Sequence, residues 1–464
     1  QRFILDIVLS WTEKEKIKNS EIIKIAAKKL LEPSFGGTSS PAWNKITMHS
    51  GALNPSDFLG KIRGDTIGLL IELYYKTEDI NEKISILNIL DEVSRFPMQM
   101  YEENFEKMVY RDADRVVKFY SSIIFDNNKI IAPIAIAQEV EKQLIWFSKN
   151  QENQNDNITA FLAKLRKDKF YGLFRLFIGD ILDRLNDTED WQSLEKKRNK
   201  EIQKKLRSIN SGNIGQWITD LNKIAEQKKY VEDWKFSNFN SFLQSLSGKK
   251  PELANLIITD AFKNKKPLAM FAYNFLFGFR KVNKINYWDK LAQKIIDKQD
   301  VDLIAGIFDT YGEAPINNIR TKDIDLLADI INKKEKFEFL RKEKFEKYED
   351  FRLRHSIIRA LLNVYYKDKI KIEKLMLKEM KANNKLQYID IYLHQIDLYI
   401  YNKSEYKIIP DLSDKSIKYL CEVLVNIKSL DYHSQQLLVP IGQRDFKAMM
   451  NIFWRRMDLR EKKG

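Results

Sequence analysis

Residues 57–75 read DFLGKIRGDTIGLLIELYY, and Phe58, Ile62, Ile67, Leu70, Leu73 and Tyr74 return to one side of a helix at mostly three- and four-residue intervals. That spacing predicts an amphipathic helix. Ser20 to Leu31 repeats it with Ile22, Ile23, Ile25, Ala26 and Leu30, which are expected to share one side. The same rhythm recurs along the chain in blocks of roughly fifteen to twenty residues, each closed by a short polar break. Helices are predicted at Asn81 to Leu90, Tyr101 to Phe125, Pro133 to Phe147, Ile158 to Leu185, Trp191 to Ile209 and Ile214 to Glu226. Phe236 to Leu246 and Pro251 to Phe262 continue the series, and Pro133 and Pro251 stand where a first turn tolerates proline.

The second half keeps the pattern, with helices expected at Val301 to Tyr311, Lys322 to Asn332, Phe351 to Tyr366, Ile370 to Asn383, Gln387 to Tyr401, Ser413 to Asn426, His433 to Ile441 and Phe446 to Met457. Phe271, Tyr273, Phe275, Phe277 and Phe279 alternate and fit either a buried helix, aromatic all round, or a short strand. No other stretch competes as a strand. Glu32 to Pro55, rich in Pro, Gly and Ser, is expected to be a long loop, and Asn150 to Asn157, NQENQNDN, a linker.

The fold class expected is all-α: an α-solenoid of stacked antiparallel helix pairs with degenerate, HEAT-like repeats. A two-helix unit cannot cover its own apolar face, and stacking the next pair on it buries that face. The expected divisions are residues 1–149 with the loop 32–55, residues 150–300 and residues 301–464, in one continuous superhelix. With 44% hydrophobic residues but only 16 Gly and 10 Pro, the 464-residue chain has material for a long core and few turn-formers for an all-β fold. It begins at Gln1 and ends in charged sequence after Phe453-Trp454-Arg455-Arg456, so a piece of a longer protein is expected.

No run of about 18 uncharged apolar residues offers a membrane span, and QRFILDIVLSWTEKEK lacks a signal-peptide layout, so a cytoplasmic location is expected. A single cysteine, Cys421, cannot form an internal disulfide and shares an apolar stripe with Leu420, Leu424 and Val425, which predicts a buried inert thiol. His49, His355, His394 and His433 are scattered without metal-ligand spacing, so no metal is expected. Neither Gly60-Lys61-Ile62-Arg63-Gly64-Asp65-Thr66 nor Ser247-Gly248-Lys249-Lys250 is a phosphate-binding loop: the first lies in a helical stripe and the second reads as a helix-end turn. No catalytic residue or cofactor is predicted. Carboxylate pairs such as Asp323 and Asp325, or Asp91 and Glu92, are frequent because 31% of residues are charged.

Net charge is +14, from 79 Lys and Arg against 65 Asp and Glu, which admits nucleic acid or an acidic protein as partner. The candidate contact surface is Lys196, Lys197, Arg198, Lys200, Lys204, Lys205 and Arg207, set against Glu195 and Glu201. A solvated face opposite Ile202, Leu206 and Ile209 accounts for the same run.

Three passages carry a resemblance. Ser34-Phe35-Gly36-Gly37-Thr38, then Met48-His49-Ser50-Gly51-Ala52-Leu53-Asn54-Pro55-Ser56, lead through Ile62-Arg63 into Ile67 to Tyr74. Trp217 and Pro251-Glu252 follow. Leu430-Asp431-Tyr432-His433, Arg444-Asp445 and Phe453-Trp454-Arg455-Arg456 come near the end. Together they resemble the C-terminal helical-repeat region of large bacterial STAND-type NTPases of the antiviral class. The resemblance implies a sensor that follows effector and nucleotide-binding modules absent from this sequence, recognises a phage protein and licenses oligomerisation through parts outside this chain. A HEAT-like nucleic-acid binder remains the alternative, and an enzyme of unfamiliar design stays open.

Overall fold

A computed structural model of the chain describes residues 2–32, 34–42, 45–52, 55–95, 103–127, 129–149, 156–178, 190–312, 318–333, 347–382, 396, 411–427, 430 and 432–461. They divide into two compact units, Gln1–Ile209 with Thr219–Phe239, and Asn210–Ile218 with Asn240–Gly464. The first contains α1 (Arg2–Ser10), α2 (Glu13–Lys18), α3 (Ser20–Leu31), β1 (Ser34–Ala42), β2 (Lys45–Ala52), α4 (Asp57–Lys76), α5 (Ile80–Leu90) and α6 (Glu103–Ile124). It continues with β3 (Phe125–Asp126), β4 (Lys129–Ile130), α7 (Ile134–Lys149), α8 (Asp156–Lys167), α9 (Lys169–Ile178) and α10 (Trp191–Ser208). Helices α11 (Ile214–Glu226) and α12 (Ser237–Lys249) each contribute to both units. The second unit holds α13 (Pro251–Lys263), α14 (Ala272–Lys281), α15 (Ile285–Lys298), α16 (Val301–Gly312), α17 (Thr321–Lys333) and α18 (Lys347–Val364). Then come α19 (Lys369–Ala382), α20 (Asp414–Asn426), α21 (Tyr432–Arg444) and α22 (Phe446–Glu461).

The fold is all-α, built of packed helix pairs as the periodicity predicts, and the packing follows a repeat. Within the first unit α3 touches α4 and α5, α4 touches α5 and α6, and α7 rests on both α5 and α6. In the second, α14 packs on α13, α15 and α16, and α18 on α16 and α19. Contact with the next helix and the next but one is what stacked pairs require. The expected breaks after 149 and 300 fall inside the units, where α7 packs on α8 and α15 on α16.

Local chemistry sets the helix ends. Ser56 accepts a hydrogen bond from the Leu59 amide at 3.1 Å, and Asp79 from the Glu82 amide at 2.8 Å. Thr12 and Glu15 form a reciprocal capping box. The expected helix over Ile158 to Leu185 is interrupted at Asp168, whose side chain accepts from the Tyr171 amide at 2.7 Å and starts α9; residues 179–189 lie outside the described residues. All of the predicted Gln387 to Tyr401 helix except Ile396, and most of the 150–157 linker, also lie outside them.

The aromatic alternation resolves as a helix. Phe271, Phe275 and Phe279, four residues apart, are buried, while Tyr273 and Phe277 are half-buried. On α4, Ile62, Ile67, Leu70, Leu73 and Tyr74 are buried as predicted, but Phe58 is exposed. Helix α3 turns differently from expectation: Ile23, Ala27, Leu30 and Leu31 are buried, whereas Ile22 and Ile25 face solvent. It carries apolar residues on two sides, and packing against α4 and α5 selects one. Lys24 is buried with them because Glu82 lies 2.9 Å from its ammonium and Glu21 beside it.

The stretch expected to be a loop also differs. Strands β1 and β2 pair antiparallel, Ser34 with Ala52 and Ser39 with Thr47, and the register shifts between Ser39 and Ala42. Backbone hydrogen bonding can hold strands of Ser, Thr and Gly that carry no apolar alternation, so the usual strand signal is missing. A second, short ladder pairs Phe125 with Ile130 and Asp126 with Lys129.

Candidate interaction surfaces

Helix α10 carries the basic run. Its first turn is fixed by Asp190, which accepts from the Gln192 and Ser193 amides at 2.8 and 3.1 Å. Arg198, Ile202 and Leu206, four residues apart, form its buried side, and Arg198 is only 6% exposed. Arg198 therefore stands apart from the other six residues of the predicted surface. Lys196, Lys197, Lys200, Lys204, Lys205 and Arg207 are exposed, and Lys204 is paired with Glu201. What remains is a basic face in water, suited to long-range attraction of an acidic partner.

Helix α22 presents a second surface. Phe446, Phe453 and Met457, at i, i+7 and i+11, fall on one side with Trp454 next to them, and Phe446 and Trp454 are 64% and 60% exposed. The opposite side is fixed: Ile452 is buried, and α22 packs on α20 and α21. Gly442 of α21 lies against the Met449 side chain of α22, where a Cβ would come within 2.6 Å of Met449 Sδ. Arg456 donates from Nη1 to the carbonyls of Leu424, Val425 and Ile427 at 2.7, 3.2 and 2.9 Å, closing the C-terminal end of α20. Arg444 donates to the Leu412 carbonyl and to Asp414. Two arginines of the final resemblance passage thus act as clamps, and the neighbouring aromatics are left in solvent. The stripe was legible in Phe446 to Met457 as apolar positions beyond those needed for one buried side.

Buried polar groups are engaged in packing. Arg63 and Asp112, both fully buried, meet at 2.7 Å, and Arg63 also donates to the Leu31 carbonyl at 2.7 Å. Glu141 accepts from Tyr171 at 2.6 Å and pairs with Arg166 and Arg175 at 2.8 and 3.0 Å. Burial, with Glu141 beside it, raises the Tyr171 phenol well above its ordinary value. Asp323 pairs with Arg280 at 3.1 Å and with Arg320. Burial, the largest influence on Asp323, opposes its charge, but hydrogen bonds from the Arg320 side chain and backbone and the charges of Arg280 and Arg320 outweigh it, so its pKa is lowered.

Among the described residues no group of three or more His, Cys, Asp or Glu could hold a metal ion. The half-buried Cys421 thiol is pushed up by burial and by Asp445. The Gly60 to Thr66 segment lies within α4, and Ser247 to Lys249 end α12. Among the described residues, no helix is long and apolar enough to cross a membrane. His355 is half-buried on α18, while His394 and the side chains of His49 and His433 lie outside the described residues. No family model, no curated protein and no solved structure matches the chain.

Proposed function

We propose that this chain is a non-catalytic recognition array that binds a protein, serving as the target-sensing α-solenoid of a bacterial STAND-type defence NTPase in the cytoplasm. Capture of a phage protein would license oligomerisation through parts outside this chain. The observation that carries the proposal is the exposed stripe of Phe446, Phe453, Trp454 and Met457 on a helix whose other side is clamped into a stack of helix pairs. Aromatic side chains on a rigid backbone are strong binding anchors, because they bury large area at low cost in side-chain entropy. The resemblance described above supplies the identity of the partner class.

The basic face of α10 favours a second reading, a HEAT-like nucleic-acid binder. Six exposed cations along one helix suit phosphate contact, and such binding falls steeply with salt. Direct titration separates the two. The phage protein captured from infected lysate, once purified, should bind the chain and lose about 30-fold or more in affinity on Trp454→Ala. Unchanged affinity in Trp454→Ala with loss in Lys200→Glu and Lys204→Glu would assign contact to the basic face instead.

A further inference from the structure

One side of α22 is surplus to its packing. Phe446, Met450, Phe453 and Met457 follow one another at intervals of four, three and four residues. That is the spacing at which one helix packs lengthwise along another with interlocking side chains. Met450 is half-buried and the other three are exposed, as is Trp454 beside them. The side of α22 that meets its own unit is a different one: Ile452 is buried, Met449 lies against Gly442, and Arg456 is bound to the end of α20.

Charge selects the occupant of the free side. Lys447 and Asp458 flank the apolar line on the same edge as Trp454; both are exposed, and neither has an ion-pair partner among the described residues. Two copies of α22 laid antiparallel along this line set Phe446 of one against Met457 of the other, and Met450 against Phe453, twice over. The same alignment brings Lys447 of one copy alongside Trp454 and Asp458 of the other, so a cation meets an indole and a carboxylate at both ends. Laid parallel, the helices would set Lys447 beside Lys447 and Asp458 beside Asp458, which like-charge repulsion opposes. The line is its own complement, as an isologous two-fold contact requires.

We infer that the chain pairs with a second copy of itself through antiparallel α22 helices, with Phe446, Met450, Phe453 and Met457 as the seam and Lys447 with Asp458 fixing its direction. Such a contact is used up in a dimer and does not propagate. If the stripe captures a protein, as proposed above, that protein competes with the second copy for Phe453 and Trp454, and the unoccupied chain keeps its capture surface covered. The pairing itself does not depend on that reading.

Sedimentation velocity of the whole chain from about 1 to 100 µM, a range suited to a contact of one helix a side, tests the pairing. Wild type should pass from monomer to dimer without larger species. Lys447→Glu and Asp458→Lys should each weaken dimerisation by about tenfold or more, because each sets like charges together twice. Neither harms the helix: an acidic residue in the first turn of α22 and a basic one in the last suit its dipole, so circular dichroism should match wild type. The two reversals combined restore opposite charges across the seam and should return association to within about threefold of wild type. A monomer at every concentration, species that grow beyond the dimer, or a double variant no stronger than either single one would overturn the inference and leave the seam to another occupant. Dimerisation with the expected pattern stands even where no phage protein is captured, so failure of the pairing and failure of the proposed function are read separately.

Discussion

Lys265 sits at φ 51° just past the end of α13, where the Lys266 amide donates to the Ala261 carbonyl at 2.9 Å and the Lys265 amide to Phe262 at 3.4 Å. This is a Schellman closure, and α14 repeats it with Asn283 at φ 57°. A left-handed lysine is strained where glycine is not, so Lys265→Gly should stabilise the chain by roughly 0.5–1 kcal/mol in urea unfolding. Asn283→Gly should gain less, because asparagine tolerates that conformation. Asp323 makes a prediction of opposite kind. Its folded pKa lies below its unfolded one, so its stabilising contribution is present above the unfolded value and is lost as pH falls through the folded value. Asp323→Asn should therefore lower the unfolding midpoint at neutral pH, with the gap from wild type closing only below about pH 4. A gap independent of pH from 7 to 3 would contradict the ionised pair. At this scale the sequence was partly legible: Arg198, Ile202 and Leu206 lie four apart, which already marks Arg198 as a stripe residue. Arg280 gave no such sign, since its pairing with Asp323 and its place over the Tyr311 ring involve residues far along the chain.

Elements were the most legible level. Ile214–Glu226 has the bounds that spacing predicts, and α4 and α13 differ by a residue at their ends, because a one-sided apolar repeat and a capping residue are local properties. Orientation was harder. Ile22 and Ile25 fit the periodicity of α3 as well as Ile23 and Ala27 do, and the choice between those sides is made by α4 and α5. The β1–β2 pair was missed because its register is carried by backbone pairing between Ser-, Thr- and Gly-rich strands. The clamp on α20 is testable by itself. Arg456→Ala leaves the carbonyls of Leu424, Val425 and Ile427 without their shared donor and should cost about 1–3 kcal/mol. A chemical-denaturation midpoint equal to wild type would show that water replaces the arginine.

Across the whole molecule, the two surfaces predict different dependence on salt. A net charge of +14 speeds encounter with any acidic partner and is screened at physiological ionic strength, whereas burial of the α22 aromatics is not. Protein recognition through α22 should therefore lose on-rate, and little residence time, as salt rises. The measurement that tests this most directly is capture from phage-infected bacterial lysate by the immobilised chain, nuclease-treated, across about 50–200 mM salt. The predicted result is a phage-encoded protein retained throughout by wild type, absent from uninfected lysate, and lost with Phe453→Ala and Trp454→Ala. Recovery of nucleic acid alone, released between low and moderate salt and indifferent to those two substitutions, would contradict it.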